Sequence, residues 1–299
     1  MAAGRSKLMR RTVNIGLNLF KLNWQVFRLA LQGRWLSQAD YASSYDRIAA
    51  DYDACWLSHL KTVTDSFLLK IPKVHYDHII ELGCGTGHIT KYLVSTFPHT
   101  NVTAVDISAN MQSEAGKKVA SKNVTFVRED MLEFLARTSS DSSSLIVSGW
   151  AIGYSNPSRI ISESSRVLSQ GGVLAFVVNY KDTLKPVFDA FRKCMLRYPT
   201  SVRRAVIPRF PATYHSIEKI LTRNGFEVVW HEEGFLAIDP PKGENVCREW
   251  LMKTGILAGF DSMLPLTGEG PVAKYFDKLL SESHEQIAHH YLSIIAKLK

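Results

Sequence analysis

From about residue 77 the apolar positions fall into short runs that alternate with longer segments of helical period. His78–Leu82, Val102–Asp106, Val124–Arg128, Leu145–Ser148 and Val173–Asn179 are brief, apolar and rich in β-branched side chains, as buried strands are. Near 88–97, 109–120, 130–137 and 158–168 the apolar residues return every three or four positions, which predicts helices. This alternation predicts an α/β fold: a Rossmann-like, seven-stranded, mostly parallel sheet with helices on both faces and an antiparallel terminal strand. Right-handed crossovers then put the ligand site at the carboxyl ends of the strands. Two segments break the pattern. Residues 183–212, with Pro186, Pro199, Pro208 and Pro211, follow the fifth strand, and residues 240–285 separate a strand near 226–231 from a final one near 290–297. Insertions this long are commonly binding elements, so both are expected to be helical caps over a substrate pocket.

The head of the chain has a different pattern. From about residue 7 to 36 it reads as one helix with two apolar stripes. Val13, Leu17, Phe20, Trp24, Phe27, Leu31 and Trp35 form the first, and Ile15, Leu19, Leu22, Val26 and Leu29 the second. A polar line of Asn14, Asn18, Lys21, Gln25, Arg28 and Gln32 runs between them. Lys21, Arg28 and the asparagines exclude a transmembrane span, and they interrupt any signal-peptide core. Three readings stay open. The segment is a helix packed on the body or on a second copy, a homo-oligomer contact through residues 8–36. Or it is a helix lying on an anionic membrane, a peripheral contact through the same residues. Or it is a mitochondrial transit peptide, which sends the protein to the matrix rather than the cytoplasm.

Composition sharpens this division. The 299 residues are 45% hydrophobic and 21% charged, the balance of a globular protein with one large core. The net charge of +8 is concentrated in the head: Arg5, Lys7, Arg10, Arg11, Lys21, Arg28 and Arg34 all precede the first acid, Asp40. The body is therefore near neutral and lacks the basic groove that nucleic acid requires. The expected organisation is a basic amphipathic segment at 1–40 and one folded domain over 41–299. Cys55, Cys84, Cys194 and Cys247 are scattered with no CxxC pair, which argues against zinc and against a disulfide framework. No metal is expected, and reduced thiols fit a cytosol-like compartment.

The chemistry concentrates in Glu81-Leu82-Gly83-Cys84-Gly85-Thr86-Gly87, between a buried strand and the helix that opens at His88. Glycines at alternate positions let the backbone turn tightly and approach a ligand with no Cβ in the way. Asp106, ending the next strand, stands where an acid accepts hydrogen bonds from ribose hydroxyls. The dinucleotide fingerprint needs a third glycine at position 88, which is histidine here.

This stretch resembles motif I of the class I S-adenosylmethionine (SAM) dependent methyltransferases, E/D-x-G-x-G-x-G, at every defining position. Val105-Asp106-Ile107-Ser108 with Met111 resembles that family's second-strand motif, and Glu129-Asp130-Met131 its adenine site. Ser148-Gly149-Trp150 ends the fourth strand, and Arg166–Gly172 resembles the turn before the fifth. Tyr45-Asp46-Arg47-Ile48-Ala49-Ala50-Asp51-Tyr52-Asp53 is similar to the lead-in of the ubiquinone/menaquinone-type enzymes, in which a tyrosine closes over the cofactor. The resemblance covers about residues 41–238 and the final strand. It implies SAM as cofactor, with Glu81 orienting the loop and Gly83, Cys84, Gly85 and Gly87 cradling it. Asp106 with Ile107 would hold the sugar, and Met111, Asp130 and Met131 would surround the base. Tyr45, Tyr52, Ser148, Gly149 and Trp150 complete the implied set. From the residues alone, Asp130 can also be read as a helix N-cap, and Trp150 and Tyr154 as core aromatics.

Methyl transfer from a sulfonium is an in-line displacement that depends on alignment and water exclusion, with a base needed only for a protonated nucleophile. Candidates for that base are His88, Tyr154, Tyr180 and His215. The fourth strand lacks the Asn/Asp-Pro-Pro-Tyr/Phe sequence of enzymes that methylate amino groups on bases, which again disfavours nucleic acid. Glu249–Gly255 is similar to the variable cap of methyltransferases acting on small acids or carrier-bound acyl groups. Apolar and aromatic residues dominate both insertions, so the expected acceptor is a hydrophobic small molecule: quinone-like, isoprenoid or acyl. The competing expectation is a non-catalytic assembly factor on the same fold.

Overall fold

The computed structural model describes residues 2–206, 209–241 and 246–299. The side chains of Arg5, Lys7, Arg10, Arg11, Val13, Asn14 and Ile15, and all of Pro208, lie outside the described residues. The chain divides into two compact units. One comprises Tyr45–Thr183, Pro208–Ile238 and Ala288–Lys299; the other Met1–Ser44, Leu184–Ile207 and Asp239–Ile287.

The first of these units is built on a seven-stranded sheet. Its strands are β1 (His78–Leu82), β2 (Asn101–Asp106), β3 (Val124–Arg128), β4 (Ser143–Gly149), β5 (Leu168–Asn179), β6 (Phe226–Ile238) and β7 (Ile287–Leu298). They lie in the order β3-β2-β1-β4-β5-β7-β6. β1 runs parallel to β2 and β4, β2 to β3 and β4 to β5, whereas β7 is antiparallel to β5 with Asn179 opposite Tyr291. The crossovers are α4 (His88–Thr96), α5 (Ala109–Lys118), α6 (Met131–Arg137) and α7 (Pro157–Val167), joined by α3 (Ser58–Leu68) and α9 (Tyr214–Arg223).

Period-two alternation sorts the strand residues into two cores. Ile80, Leu82, Ile146, Leu174 and Phe176 meet Phe134, Ile160 and Leu221 on one face. Ile79, Leu145, Val147, Ala175 and Val177 meet Phe67, Ile89 and Leu93 on the other. β6 is an edge strand and continues to Ile238, beyond the expected end near 231. Its exposed Glu232 and Glu233 interrupt the apolar pattern without ending the strand.

The other unit contains α1 (Ala2–Leu31), α8 (Lys185–Arg197), α10 (Val246–Lys253) and α11 (Pro271–Ser281), with α2 (Gln38–Ile48) beginning in it. Phe191, Cys194, Val272 and Phe276 are buried here. Buried Arg248 donates to Asp277 at 2.9 Å and to the Leu266 carbonyl at 2.6 Å, satisfying a charge that is otherwise costly to bury. Described residues of this unit include the two segments that leave the sheet after β5 and β6.

Candidate active site

The loop after β1 is shaped by three glycines at positive φ: Gly83 at 73°, Gly85 at 51° and Gly87 at 82°. The Gly83 and Cys84 amides donate to the Val105 carbonyl at 2.8 and 3.0 Å, folding the loop over the end of β2. A Cβ on Gly83 would lie 2.3 Å from Ala151 Cβ, and one on Gly87 would lie 2.9 Å from Ala115 Cβ. Those two glycines are needed for close packing. Gly85 differs: a Cβ there meets nothing within 4 Å, so its bare backbone faces open space. Cys84 is buried in the loop, and burial holds its thiol protonated.

Asp106 is tied to this bend. Its Oδ2 accepts from the Gly85 amide and its Oδ1 from the Ser108 amide, both at 2.8 Å. Burial pushes its pKa up and nearby Asp46 adds to that, while the two amides oppose it. Each carboxylate oxygen has two acceptor positions, so one on each is left for a ligand hydroxyl. Asp46 in turn accepts from the Asn110 amide at 3.0 Å and from the Ser108 hydroxyl, which pins the lead-in segment to the turn after β2. Thr86 donates to Asp53, anchoring the π-helical turn Asp53–Leu57 to the glycine loop.

Around Asp106 stands an aromatic cluster. The Tyr45 ring lies 6.2 Å from Tyr52 and 6.0 Å from Tyr154. Burial raises the pKa of all three, and for Tyr45 and Tyr52 the Asp106 charge adds to it, so they remain neutral phenols. Met111 is buried against Ile48 and Ala49, and Tyr45 and Tyr52 pack on this cluster. Its place in the fold is that small core. Ile107 is half-buried between Asp106 and the α5 N-cap Ser108.

Glu81 is buried, with its pKa pushed up to about 8 by burial. It accepts from the Thr90 hydroxyl at 2.6 Å, so it holds the first turn of α4 rather than the loop amides themselves. Asp130 caps α6 through Oδ1, which accepts from Leu132 and Glu133 amides at 2.8 and 3.1 Å. Met131 reaches within 3.8 Å of the Gly83 Cβ position. Ser148 donates to the Leu82 carbonyl at 2.8 Å, and a Cβ on Gly149 would meet Ile89 at 2.5 Å. Trp150 adopts φ +63°, a left-handed conformation that costs a bulky residue energy and that tends to occur at functional sites. Its indole donates to Thr64 at 3.0 Å, and its ring turns toward the β7 side.

The four candidate bases separate. Tyr154 joins the tyrosine cluster. His88 is paired with Asp65 at 2.7 Å. The Tyr180 hydroxyl donates to Glu233 at 2.7 Å, and exposed His215 pairs with Glu218 one turn along α9. Among the described residues no group of three or more His, Cys, Asp or Glu is arranged to hold a metal, and all four cysteines are free.

One group escaped the sequence reading. His289 is buried, its ring 5.2 Å from both Trp56 and Trp150. Nδ1 lies 2.9 Å from Asn179 Oδ1, at the end of β5, which assigns the proton to Nδ1. Nε2 is then a bare acceptor, and it has no hydrogen-bond partner. Burial, aided by His59, lowers its pKa to about 3, so the ring is neutral. In the sequence the signal was only strand alternation, which sends His289 inward and His290 outward to Asp182.

Fold and loop together resemble those of the class I SAM-dependent methyltransferases. Residues 79–172 match the family model described as a methyltransferase domain. The malonyl-(acyl-carrier protein) O-methyltransferase of Paenibacillus sp. (strain JDR-2) is 31% identical over 164 residues, 54% of this chain and 55% of that protein. Its counterpart from Bacillus cereus is 30% identical over 158 residues, 51% of this chain and 54% of that protein. The chain thus spans about half the length of these relatives. A chain from the Haloferax volcanii complex that contains the Trm112 methyltransferase activator superposes with a TM-score of 0.54 at 17% identity, covering 86% of this chain and 96% of that one. That likeness is one of fold.

Proposed function

We propose that this protein transfers a methyl group from SAM to a hydrophobic small molecule. The observation that carries the reading is the open backbone face of Gly85 beside Asp106, one of whose oxygens fastens that loop while the other accepts from the Ser108 amide. A nucleoside needs such a surface: backbone that can be approached closely and a carboxylate with acceptor positions to spare.

Bound there, SAM supplies an electrophilic methyl on a good leaving group. The residues of this chain do the rest. Asp106 grips ribose hydroxyls through its remaining acceptor positions. Met131 flanks the base, and Asp130, with Oδ1 engaged in capping, offers Oδ2 to an exocyclic amine. Tyr45, Tyr52 and Tyr154 exclude water, which strengthens the electrostatic contacts inside. The acceptor belongs at the carboxyl ends of β4 and β5, where Trp150, Trp56 and His289 meet. Two indoles suit an apolar or planar body, and neutral Nε2 takes a hydrogen bond from an acceptor O–H or N–H. His289 would thereby position the nucleophile. A quinone-like, isoprenoid or acyl acceptor fits this aromatic corner in the present scheme.

The test is calorimetry with SAM, followed by transfer of labelled methyl from SAM into lipid and small-acid extracts. Saturable 1:1 binding and a labelled organic-soluble product are expected. Absence of SAM binding refutes the reading in favour of a scaffold on this fold, and label in nucleic acid alone refutes the acceptor class.

A further inference from the structure

The long first helix takes no part in the chemistry above, and its surface is unusual. Within its own unit its rotation is fixed. Gln25 and Leu29 are buried, Gln25 donates to the Val202 carbonyl at 2.7 Å, and backbone bonds Leu36–Ala205 and Ala205–Arg34 tie down the segment that follows. Leu22 and Val26 are half-buried on that same side. The opposite side carries Leu17, Phe20, Trp24, Phe27 and Leu31, spaced by three and four residues. At about 100° per residue they fall within an arc of roughly 80°. Phe20 is 68% exposed, Trp24 60% and Leu31 73%. Lys21 and Arg28 are exposed along one flank of this stripe, and Arg34 follows the helix.

A stripe of this size on an anchored helix calls for a covering surface. Charge selects which. Residues 1–39 contain seven basic side chains and no acid. A second copy laid along the stripe would bring the same cations against these, with no carboxylate in the segment to answer them. A lipid surface bearing anionic headgroups offers the opposite charge, and it accommodates Trp and Phe at the boundary between headgroups and acyl chains. We propose that α1 docks the protein in the plane of an anionic membrane, with Leu17–Leu31 facing the acyl boundary and Lys21 and Arg28 reaching phosphates. No helix among the described residues is long and apolar enough to cross a membrane, in keeping with contact in the plane.

The experiment is co-sedimentation of the full chain with vesicles of phosphatidylcholine alone, or of equal parts phosphatidylcholine and phosphatidylglycerol. Binding to the mixed vesicles is expected to exceed binding to the neutral ones at least tenfold, and to fall severalfold when salt is raised from 0.1 to 0.5 M. The double substitution Trp24→Ser, Phe27→Ser should reduce it at least tenfold, and Lys21→Glu with Arg28→Glu should abolish the preference for anionic lipid. All four side chains are exposed, so thermal unfolding should be unchanged in both variants. Equal sedimentation of the Trp24/Phe27 variant and the parent overturns the proposal, as does failure of the parent to sediment with mixed vesicles. A dimer in solution that the same double substitution converts to monomer, without any vesicle effect, assigns the stripe to a second copy instead.

Discussion

Replacing Asp106 by Asn tests the site at its most connected residue. The carboxylate accepts the Gly85 amide on one oxygen and the Ser108 amide on the other. An asparagine keeps the shape but turns one oxygen into an NH2 group, which then points a donor at an amide hydrogen. One amide is left without an acceptor, at a cost of about 1–3 kcal/mol to folding. A ligand hydroxyl also loses one charge-assisted bond, and such bonds contribute about 1.5–3 kcal/mol. At 1.4 kcal/mol per decade, SAM affinity should fall by about 10- to 100-fold. Titration calorimetry with SAM and with S-adenosylhomocysteine, which share the ribose, reads the second effect; urea unfolding reads the first. Both ligands should weaken equally. If the variant unfolds more easily while both dissociation constants stay within twofold of the parent, Asp106 only fastens the loop and the sugar lies elsewhere.

Gly83→Ala and Gly85→Ala should separate packing from binding. The first meets Ala151 at 2.3 Å and also carries a positive φ, so it should destabilise by several kcal/mol. The second meets nothing and should cost only about 1–2 kcal/mol in conformational strain, yet weaken SAM at least tenfold; unfolding curves and calorimetry check both. Glu81, raised by burial from 4.5 to about 8, binds its proton more tightly folded than unfolded. Its stabilising contribution is therefore complete below about pH 4.5, declines as pH rises, and is gone above about 8. Glu81→Gln should flatten the pH dependence of unfolding across that window by about 1 kcal/mol per pH unit, and parallel curves for parent and variant would refute the assignment. His289→Phe should leave SAM affinity unchanged while lowering labelled methyl transfer at least tenfold; an equal loss in both would make it a structural residue.

The sheet was legible because its strands are doubly covered: runs such as His78–Leu82 and Val173–Asn179 are short, largely apolar and rich in β-branched residues. The glycine loop was legible through spacing alone, since a fixed backbone path needs glycine at fixed positions. The exposed face of α1 was not, because both stripes of the helix are apolar and hydrophobicity does not say which one meets the protein. In the structure, polar Gln25 is buried and Trp24 beside it is exposed. The Asp46–Ser108 bond joins residues 62 positions apart, so only the folded chain brings them together. His289 was missed for a related reason. Its significance lies in the nitrogen that nothing satisfies, a property of its surroundings and not of its neighbours in sequence.

The position of β7 has a consequence for how the chain becomes a protein. β7, which follows β6 in sequence, is wedged between β5 and β6, so β6 has no hydrogen-bonded neighbour in the sheet until β7 has entered it. Contacts of such long sequence separation close late and slowly, and until they do an apolar strand edge is open to solvent. Folding should therefore depend on chaperones until β7 has docked, and deleting Ile287–Leu298 should cause aggregation rather than yield a smaller folded domain.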